Sequence, residues 1–193
     1  SAVHPLPVQV FDLRGQVYHA YRYLQSGDSV GKLVFHLTRG SADGKAFHGS
    51  MLLIGGLGGL GLLTARYLVY QGACRVVLGS RSGAVQSGSE ADLQKIEHDC
   101  PDTTRVQLDA SSTSQMRALA CSMCLCGAPL QGLFHAAGVL GDGTLANQSA
   151  SQLMRVVGPK AVGAMHLHLA FSLHQLRMFS VFASVVGLLG NAG

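Results

Sequence analysis

Tryptophan is absent from the 193-residue sequence, and charged residues make up only 12% of it. The formal net charge is a mild +4, and the basic residues are scattered along the chain. A nucleic-acid-binding protein concentrates lysine and arginine on one face or helix, so this pattern argues against such a partner. Hydrophobic residues make up 48% of the chain, which is typical of a well-packed globular protein and not of a disordered one.

A secretory signal is also missing, because no charged segment followed by an apolar stretch opens the sequence. The first residue is not methionine, so we expect a piece of a longer polypeptide. Residues 51–70 are apolar enough to span a bilayer, but five glycines near their start are poor helix formers. A buried strand followed by a helix is therefore preferred to a membrane segment.

Cysteine is sparse, with five residues, and three of them lie in the short stretch CSMCLC. A zinc site would need a second cysteine pair or a histidine group at ligand spacing, and no such pattern occurs, so no metal is predicted. In a helix, cysteine behaves as a small apolar residue. We therefore expect buried, reduced thiols in a reducing compartment, namely the cytoplasm. The five are Cys74, Cys100, Cys121, Cys124 and Cys126.

The most informative feature present is the run MLLIGGLGGLG at residues 51–61. A short apolar strand pattern gives way to a GxGxxG frame at Gly56, Gly58 and Gly61, and a helical pattern follows at once. Strand, glycine turn and helix N-terminus in this order form the phosphate-binding corner of a dinucleotide fold. Glycine permits a tight turn and close approach of a pyrophosphate to the free helix amides. The predicted phosphate-binding residues are Gly55, Gly56, Leu57, Gly58, Gly59, Leu60 and Gly61.

Strand and helix patterns alternate through the rest of the chain. This alternation predicts an α/β fold, namely a Rossmann-like, doubly wound parallel sheet in three αβα layers that ends after its fifth strand. Pro159 lies inside the last helical pattern and predicts a kink or break there. The predicted strands are residues 51–54, 74–80, 104–110, 132–138 and 177–184. The predicted helices are residues 58–71, 91–99, 111–125 and 149–173.

The first residues form a separate strand–helix–strand pattern. Residues 1–38 predict a short βαβ attachment, and residues 39–48, which contain RGSADGK, predict a linker. Residues 49–193 are then the main, dinucleotide-binding domain. The attachment is too short to own a core, so we expect it to dock on the main domain or on chain outside this sequence.

Ser80 and Arg81 end the second strand of the main domain. A site for NAD places an acidic residue at this position to bind the ribose 2′-hydroxyl, whereas an arginine suits a 2′-phosphate. Residues 80–88 contain no carboxylate, so NADPH is predicted in preference to NADH. The alternative is that Arg81 is an ordinary solvated loop residue.

The ends of the next two strands supply further candidates for the cofactor site. Asp109, followed by Ala110, is placed to accept a hydrogen bond from an adenine amino group, or to cap a helix beginning at Ser111. The sequence does not choose between these two roles. Ala136, Ala137 and Gly138 are small enough for a flat cofactor to lie against the backbone. His135 precedes them and is predicted to be a packed strand residue of this site and not a base.

In their order, these motifs resemble the ketoreductase domain of polyketide synthases, within the short-chain dehydrogenase/reductase superfamily. The stretches that carry the resemblance are GGLGGLGLLTARYLVYQGA, VVLGSRSG, HAAGVLGDGTL, GPKAVGAMHLH and FASVVGLLGNAG. The leading stretches PLPVQVF and AYRYLQSGDSVGKLVF are similar to the C-terminal tail of an enoylreductase domain. In fully reducing synthase modules, that domain directly precedes the catalytic half of the ketoreductase.

The resemblance implies reduction by NADPH of a β-ketoacyl thioester, held on an acyl carrier protein, to the β-hydroxyacyl product. It places the family's catalytic serine at Ser184 and its lysine at Lys160. The family's tyrosine and asparagine come later in its motif, beyond Gly193, so this piece is expected to be inactive alone. Neighbouring enoylreductase and dehydratase domains are implied partners of a polyketide or fatty-acid-type synthase, with no nucleic acid and no membrane.

The sequence departs from the family at three positions. Ile54 replaces a threonine, Ala183 replaces the first of two paired serines, and Asp142 retains only part of an LDD signature, which leaves the stereochemistry open. Without the resemblance, Ser184 would be an ordinary turn residue and Lys160 a solvated helix residue. Two other functions stay open: a non-catalytic structural segment of a synthase, and a stand-alone short-chain reductase acting on a small ketone.

Overall fold

The smaller of two compact units, residues 1–46 and 47–193, contains the predicted βαβ attachment. Its strands β1 (Val8–Asp12) and β2 (Lys32–His36) pair in parallel, and α1 (Val17–Gln25) connects them. The strand–helix–strand order is therefore confirmed. The computed structural model describes residues 8–12, 16–28, 32–36, 47–125, 127–141, 143 and 147–184.

The larger unit is built on a parallel five-stranded sheet with the order β5-β4-β3-β6-β7. Helices flank the sheet, and the predicted Rossmann-like α/β fold is confirmed. Its strands are β3 (Ser50–Ile54), β4 (Arg75–Ser80), β5 (Thr103–Gln107), β6 (Leu130–His135) and β7 (Met178–Val181). Its helices are α2 (Gly59–Tyr70), α3 (Glu90–Asp99), α4 (Thr113–Leu125), α5 (Ala150–Val157) and α6 (Gly163–Ala170).

Strand β3 lies at the centre of this sheet, and all five of its residues are buried. The chain adds β4 and then β5 on one side of β3, and returns to place β6 on the other side. The strand order therefore reverses beside β3, which is where open α/β sheets bind their ligands. Ile54 lies opposite both Gly79 and His135, so the carboxyl ends of these strands align at one edge.

The central strand contributes to the packing on both faces of the sheet. Leu52 and Ile54 belong to a buried cluster that includes Met116 of α4 and Leu167 of α6. Successive side chains of a strand point to opposite faces, so the equally buried Leu53 lies on the other face. Burying each leucine side chain of this kind stabilises the fold by about 1.5–3 kcal/mol. Continuous burial explains why residues 51–54 of β3 form an unbroken apolar run.

Residues 51–70 fold as most of β3, the glycine turn and α2. Among the described residues, no helix has both the length and the apolar character needed to cross a membrane.

The last helical region is interrupted at Pro159, as predicted. Ser149 caps α5 and forms a capping box with Gln152, and α5 ends at Val157. A π-helical turn (Gly158–Val162) follows and leads directly into α6. Proline has no N–H to donate to the preceding turn, which favours an altered hydrogen-bond pattern at this point.

The prediction of buried cysteines is wrong for most of those that the structure describes. Cys74, Cys100, Cys121 and Cys124 are free thiols, and of these four Cys100 alone is buried; burial raises its pKa. Helix α4 turns another stripe of side chains towards the core, which leaves Cys121 and Cys124 on its exposed face. The stripe consists of Met116, Leu119, Ala120 and Met123. Cys126 lies outside the described residues.

Candidate functional site

The glycine turn leaves the central strand at Gly55, which has a φ of 81°. The N–H groups of Gly55 and Gly56 donate to the Gly79 oxygen of β4 at 2.7 and 3.1 Å. A Cβ atom on Gly55 would lie 2.5 Å from the backbone nitrogen of Ala137. Glycine alone accommodates both this φ and this close crossing. The turn therefore lies directly against the segment that follows β6.

Helix α2 starts at Gly59, immediately after this turn, and has Gly58 as its N-cap. Its first helical hydrogen bond runs from the Leu62 N–H to the Gly58 oxygen at 2.9 Å. The amides of Leu60 and Gly61 precede that bond and lie at the positive end of the helix dipole. This end of α2 is consequently suited to hold an anion.

The glycines of the turn have different roles. An added Cβ atom on Gly56 would press against Leu53 of β3 and Leu78 of β4, and one on Gly61 would clash with the backbone of Gly55 and Gly56, so tight packing requires both glycines. A Cβ on Gly58 would meet its nearest atom, the Gly55 oxygen, at an ordinary 3.6 Å. The protein alone therefore has room for a side chain at Gly58, and that room lies beside the helix start.

A cleft of about 210 Å³ opens between the glycine turn and the end of β6. Many of the predicted cofactor residues line it, namely Gly55, Gly58, Ser80, Arg81, Asp109, Ala110, Ala136, Ala137 and Gly138. The structure adds four residues that the sequence analysis did not assign to the cofactor site, namely Ile54, Leu108, Val139 and Pro159. Other predicted site residues stand outside this lining, namely Gly56, Leu57, Gly59, Leu60, Gly61, His135, Lys160 and Ser184.

Arg81 and Asp109 both lie at the rim of the cleft, where β4 and β5 end. Gln107 Nε2 donates to the Arg81 backbone oxygen at 3.2 Å, which ties the two strand ends together. Asp109 Oδ1 accepts from the Ser111 hydroxyl and N–H at 2.6 and 2.9 Å. These bonds, with a smaller effect of the Arg81 charge, hold the pKa of Asp109 below its usual value. Helix α4 begins later than predicted, at Thr113, so Asp109 closes the turn before the helix.

The segment between β4 and α3 folds back over the glycine turn through Gln86. The Gln86 N–H donates to the Leu57 oxygen at 3.0 Å, and its Oε1 accepts from the Gly59 N–H at 3.0 Å. One residue thus fastens the loop that carries Arg81 to the start of α2. The sequence analysis missed Gln86 because these bonds depend on the path of the loop and have no local motif.

We expect replacement of Gln86 by alanine to lower the free energy of unfolding by about 1 kcal/mol, because one side-chain hydrogen bond is lost. Urea denaturation followed by circular dichroism measures the change. Ser87→Ala, at the exposed neighbouring position, serves as the control and should leave the midpoint in place. Equal midpoints for the two variants would contradict a stabilising role of Gln86.

Lys160 lies in the π-helical turn, and its aliphatic stem covers Gly138. A Cβ on Gly138 would lie 2.6 Å from Lys160 Cε. Ser184 is exposed beyond β7, and the Phe182 N–H donates to the His135 oxygen at 2.9 Å. The chain after β7 therefore reaches the edge of the sheet where the glycine turn lies.

The His135 side chain is 1% exposed, packed as predicted, and burial holds its pKa below the usual value. Asp142 lies outside the described residues, so the partial LDD signature is not placed. Within the described ranges, no group of three or more histidine, cysteine, aspartate or glutamate side chains could hold a metal ion.

Comparison with known proteins identifies the family to which this chain belongs. The model of the KR domain family matches residues 49–193, three quarters of the chain. The chain belongs to the ketoreductase domains of polyketide synthases. The polyketide synthase GfsB of Streptomyces halstedii is 35% identical over 194 residues, covering 100% of this chain and 3% of that protein. The mycocerosic acid synthase-like polyketide synthase of Mycobacterium tuberculosis is 32% identical over 203 residues, covering 100% and 10%.

Solved ketoreductase structures resemble this chain. PlmKR1, the ketoreductase from the first module of phoslactomycin biosynthesis in a Streptomyces species, has a TM-score of 0.70 at 33% identity, covering 76% of this chain and 34% of that one. An A-type ketoreductase from a modular polyketide synthase has a TM-score of 0.71 at 33% identity, covering 81% and 33%. This chain therefore matches about a third of each solved chain.

Ketoreductases of this family bind nicotinamide cofactors, and the residues present fit such a group. The open space at Gly58, the free helix amides beside it and the small residues at 136–138 leave room for a diphosphate and a flat ring.

Proposed function

We propose that this ketoreductase binds NADPH in the cleft between the glycine turn and β6, and that its synthase uses it to reduce a β-ketoacyl thioester. The observation that carries the proposal is the convergence of Gly58, Arg81 and residues 136–138 on one cleft at the reversal of strand order. Arg81 suits the 2′-phosphate, Gly58 the diphosphate, and residues 136–138 a flat ring. They follow the neighbouring strands β4, β3 and β6, in the order in which these groups occur along the dinucleotide.

Charge at the rim of the cleft supports NADPH as the cofactor. Arg81 is exposed, and a guanidinium binds a phosphate through two parallel hydrogen bonds. Residues 80–88 bring no carboxylate that would bind a ribose 2′-hydroxyl in the same place. The amides at the start of α2 are the donors for the diphosphate, and Asp109 is the acceptor for the adenine amino group.

Bound NADPH would supply the hydride that adds to the β-carbon of the ketoacyl group. Ser184 then donates a hydrogen bond to the carbonyl oxygen, on which negative charge develops during reduction. Lys160 brings a positive charge and favours the ionised form of the family's tyrosine proton donor, as the resemblance implies. That tyrosine follows Ser184 in the family motif and is not contained in residues 1–193.

The partners that we propose are those of a synthase. The relatives matched are multidomain polyketide synthases far longer than this chain. We therefore propose an acyl carrier protein that presents the ketoacyl chain, with enoylreductase and dehydratase domains as neighbours. The enoylreductase-like character of residues 1–38 belongs to this proposal.

Calorimetric titration of residues 1–193 with NADPH and with NADH tests the cofactor assignment. We expect NADPH to bind more tightly, by about tenfold or more, because one added charge-assisted hydrogen bond is worth about 1.5–3 kcal/mol. We also expect no oxidation of NADPH when a β-ketoacyl thioester is added, followed at 340 nm. Equal affinities would contradict the choice of NADPH, and turnover by residues 1–193 would contradict their inactivity. A polypeptide extended past Gly193 is the positive control.

A further inference from the structure

His135 ends β6 beside the cleft, yet its imidazole does not line it. The ring is buried beneath the π-helical turn, and its Nε2 lies 2.9 Å from the Pro159 oxygen and 3.2 Å from the Lys160 oxygen. Both neighbours are carbonyl oxygens, which only accept hydrogen bonds. Nε2 therefore carries the proton and donates to both carbonyls.

The other ring nitrogen supports this assignment. Nδ1 of His135 is buried and has no hydrogen-bond partner among the described residues. A proton on Nδ1 would be an unsatisfied buried donor, which is costly. The neutral ring with its proton on Nε2 is consequently the form that the surroundings favour, and burial lowers its pKa in agreement.

The hydrogen bonds of the turn leave room for this contact. In a regular α-helix, the Gly163 N–H would donate to the Pro159 oxygen, four residues earlier. Here it donates to the Gly158 and Lys160 oxygens instead. The Pro159 oxygen therefore does not accept a hydrogen bond from the Gly163 N–H, and His135 donates to it.

The same turn carries the Lys160 stem across Gly138, which lines the cleft, so Lys160 lies beside the cleft. This region packs closely around both residues. A Cβ atom on Gly163 would lie 3.3 Å from the His135 ring, and a Cβ atom on Gly138 would lie 2.6 Å from Lys160 Cε. The position of the Lys160 backbone is thus determined from beneath by His135, and its stem is confined from the side by Gly138.

We propose that His135 is a positioning residue that places Lys160 beside the cofactor cleft through the carbonyl oxygens of the π-helical turn. The task of Lys160 at the cleft rests on the proposed function, but its placement by His135 does not. The imidazole contacts no cofactor or substrate in this role and acts only through the turn.

Reductive ¹³C-methylation of the lysines, followed by NMR, tests the placement, since the chain has only four: Lys32, Lys45, Lys95 and Lys160. A K160R variant assigns the Lys160 signal. We expect His135→Leu to move this signal towards that of the exposed Lys95, because the turn loses its donor. His135→Gln should restore it, since the glutamine amide can donate from nearly the same position. His174→Leu, which removes a histidine bonded instead to Cys124, should leave the signal unchanged.

An unmoved Lys160 signal in His135→Leu, or equal displacement in the leucine and glutamine variants, would overturn the proposal. If the leucine variant does not fold, ¹⁵N NMR of the unmodified protein decides: a neutral ring protonated on Nε2 supports the proposal, and any other form overturns it. Adding NADPH separates the two inferences. A Lys160 signal that responds to His135→Leu but to no cofactor would uphold the placement and contradict the proposed NADPH site.

Discussion

Replacing Arg81 with alanine is expected to weaken NADPH binding by about 10- to 100-fold and to leave NADH binding nearly unchanged. The reason is that only NADPH carries the 2′-phosphate that we assign to this guanidinium. Arg81 lies at the rim of the cleft with its side chain exposed, so its removal leaves the core intact. Calorimetric dissociation constants for both cofactors, measured for the wild type and the variant, give the ratio directly.

Arg105→Ala is the matched control for this prediction. It removes the same charge from the sheet at β5, where the exposed guanidinium lies 3.5 Å from Glu97. Any effect that both variants share is a long-range effect of net charge, and it should fade as salt is added. Equal losses of NADPH and NADH in Arg81→Ala would remove the 2′-phosphate from the assignment.

Two glycine substitutions are expected to separate folding from binding. Gly55→Ala should lower the free energy of unfolding by about 2–4 kcal/mol, because alanine resists a positive φ and its Cβ would press against Ala137. Gly58→Ala should change stability little, since its Cβ finds ordinary contacts. It should nevertheless weaken NADPH binding by about tenfold or more, because a methyl group then fills the space meant for a phosphate.

Urea denaturation and calorimetry on both variants measure the two effects. Gly127→Ala is the control, because a Cβ there meets nothing within 4 Å and Gly127 is remote from the lining of the cleft. Unaltered NADPH binding in Gly58→Ala would show that the ligand does not approach the turn at this point. A stable Gly55→Ala variant would show that the glycine turn and the backbone at Ala137 can move apart.

The order of strands and helices could be predicted because each depends on local pattern. The run at 51–61 combines an apolar stretch with closely spaced glycines, and few structures accommodate that combination. The observed ends of helices differ by a few residues from the predicted ones, because the residues that close a turn also resemble helix caps. Helix α4, for example, begins at Thr113 and not at residue 111. The cleft residues followed from the fold, since parallel strands bring their carboxyl ends to one edge.

The contacts that could not be predicted join segments far apart in sequence. Gln86 reaches Gly59 only because a loop folds back, and His135 reaches Pro159 only because a π-helical turn lies above it. Pro159 signalled an interruption of the helix, but its presence does not specify which carbonyl oxygens are diverted. The exposed cysteines of α4 could not be predicted for a similar reason, because helical periodicity alone does not indicate which face of α4 packs against the core.

The burial of β3 implies that the centre and the β7 edge of the sheet differ in local stability. Amide protons of a fully enclosed strand, paired on both sides, exchange with solvent only when the whole domain opens. Helix α5 has no buried residue, and the apolar side chains Met178, Phe179 and Val181 of β7 are 39–48% exposed. Amide protons of β7 should therefore exchange faster than those of β3, while the glycine turn stays anchored to the slowest-exchanging part of the protein.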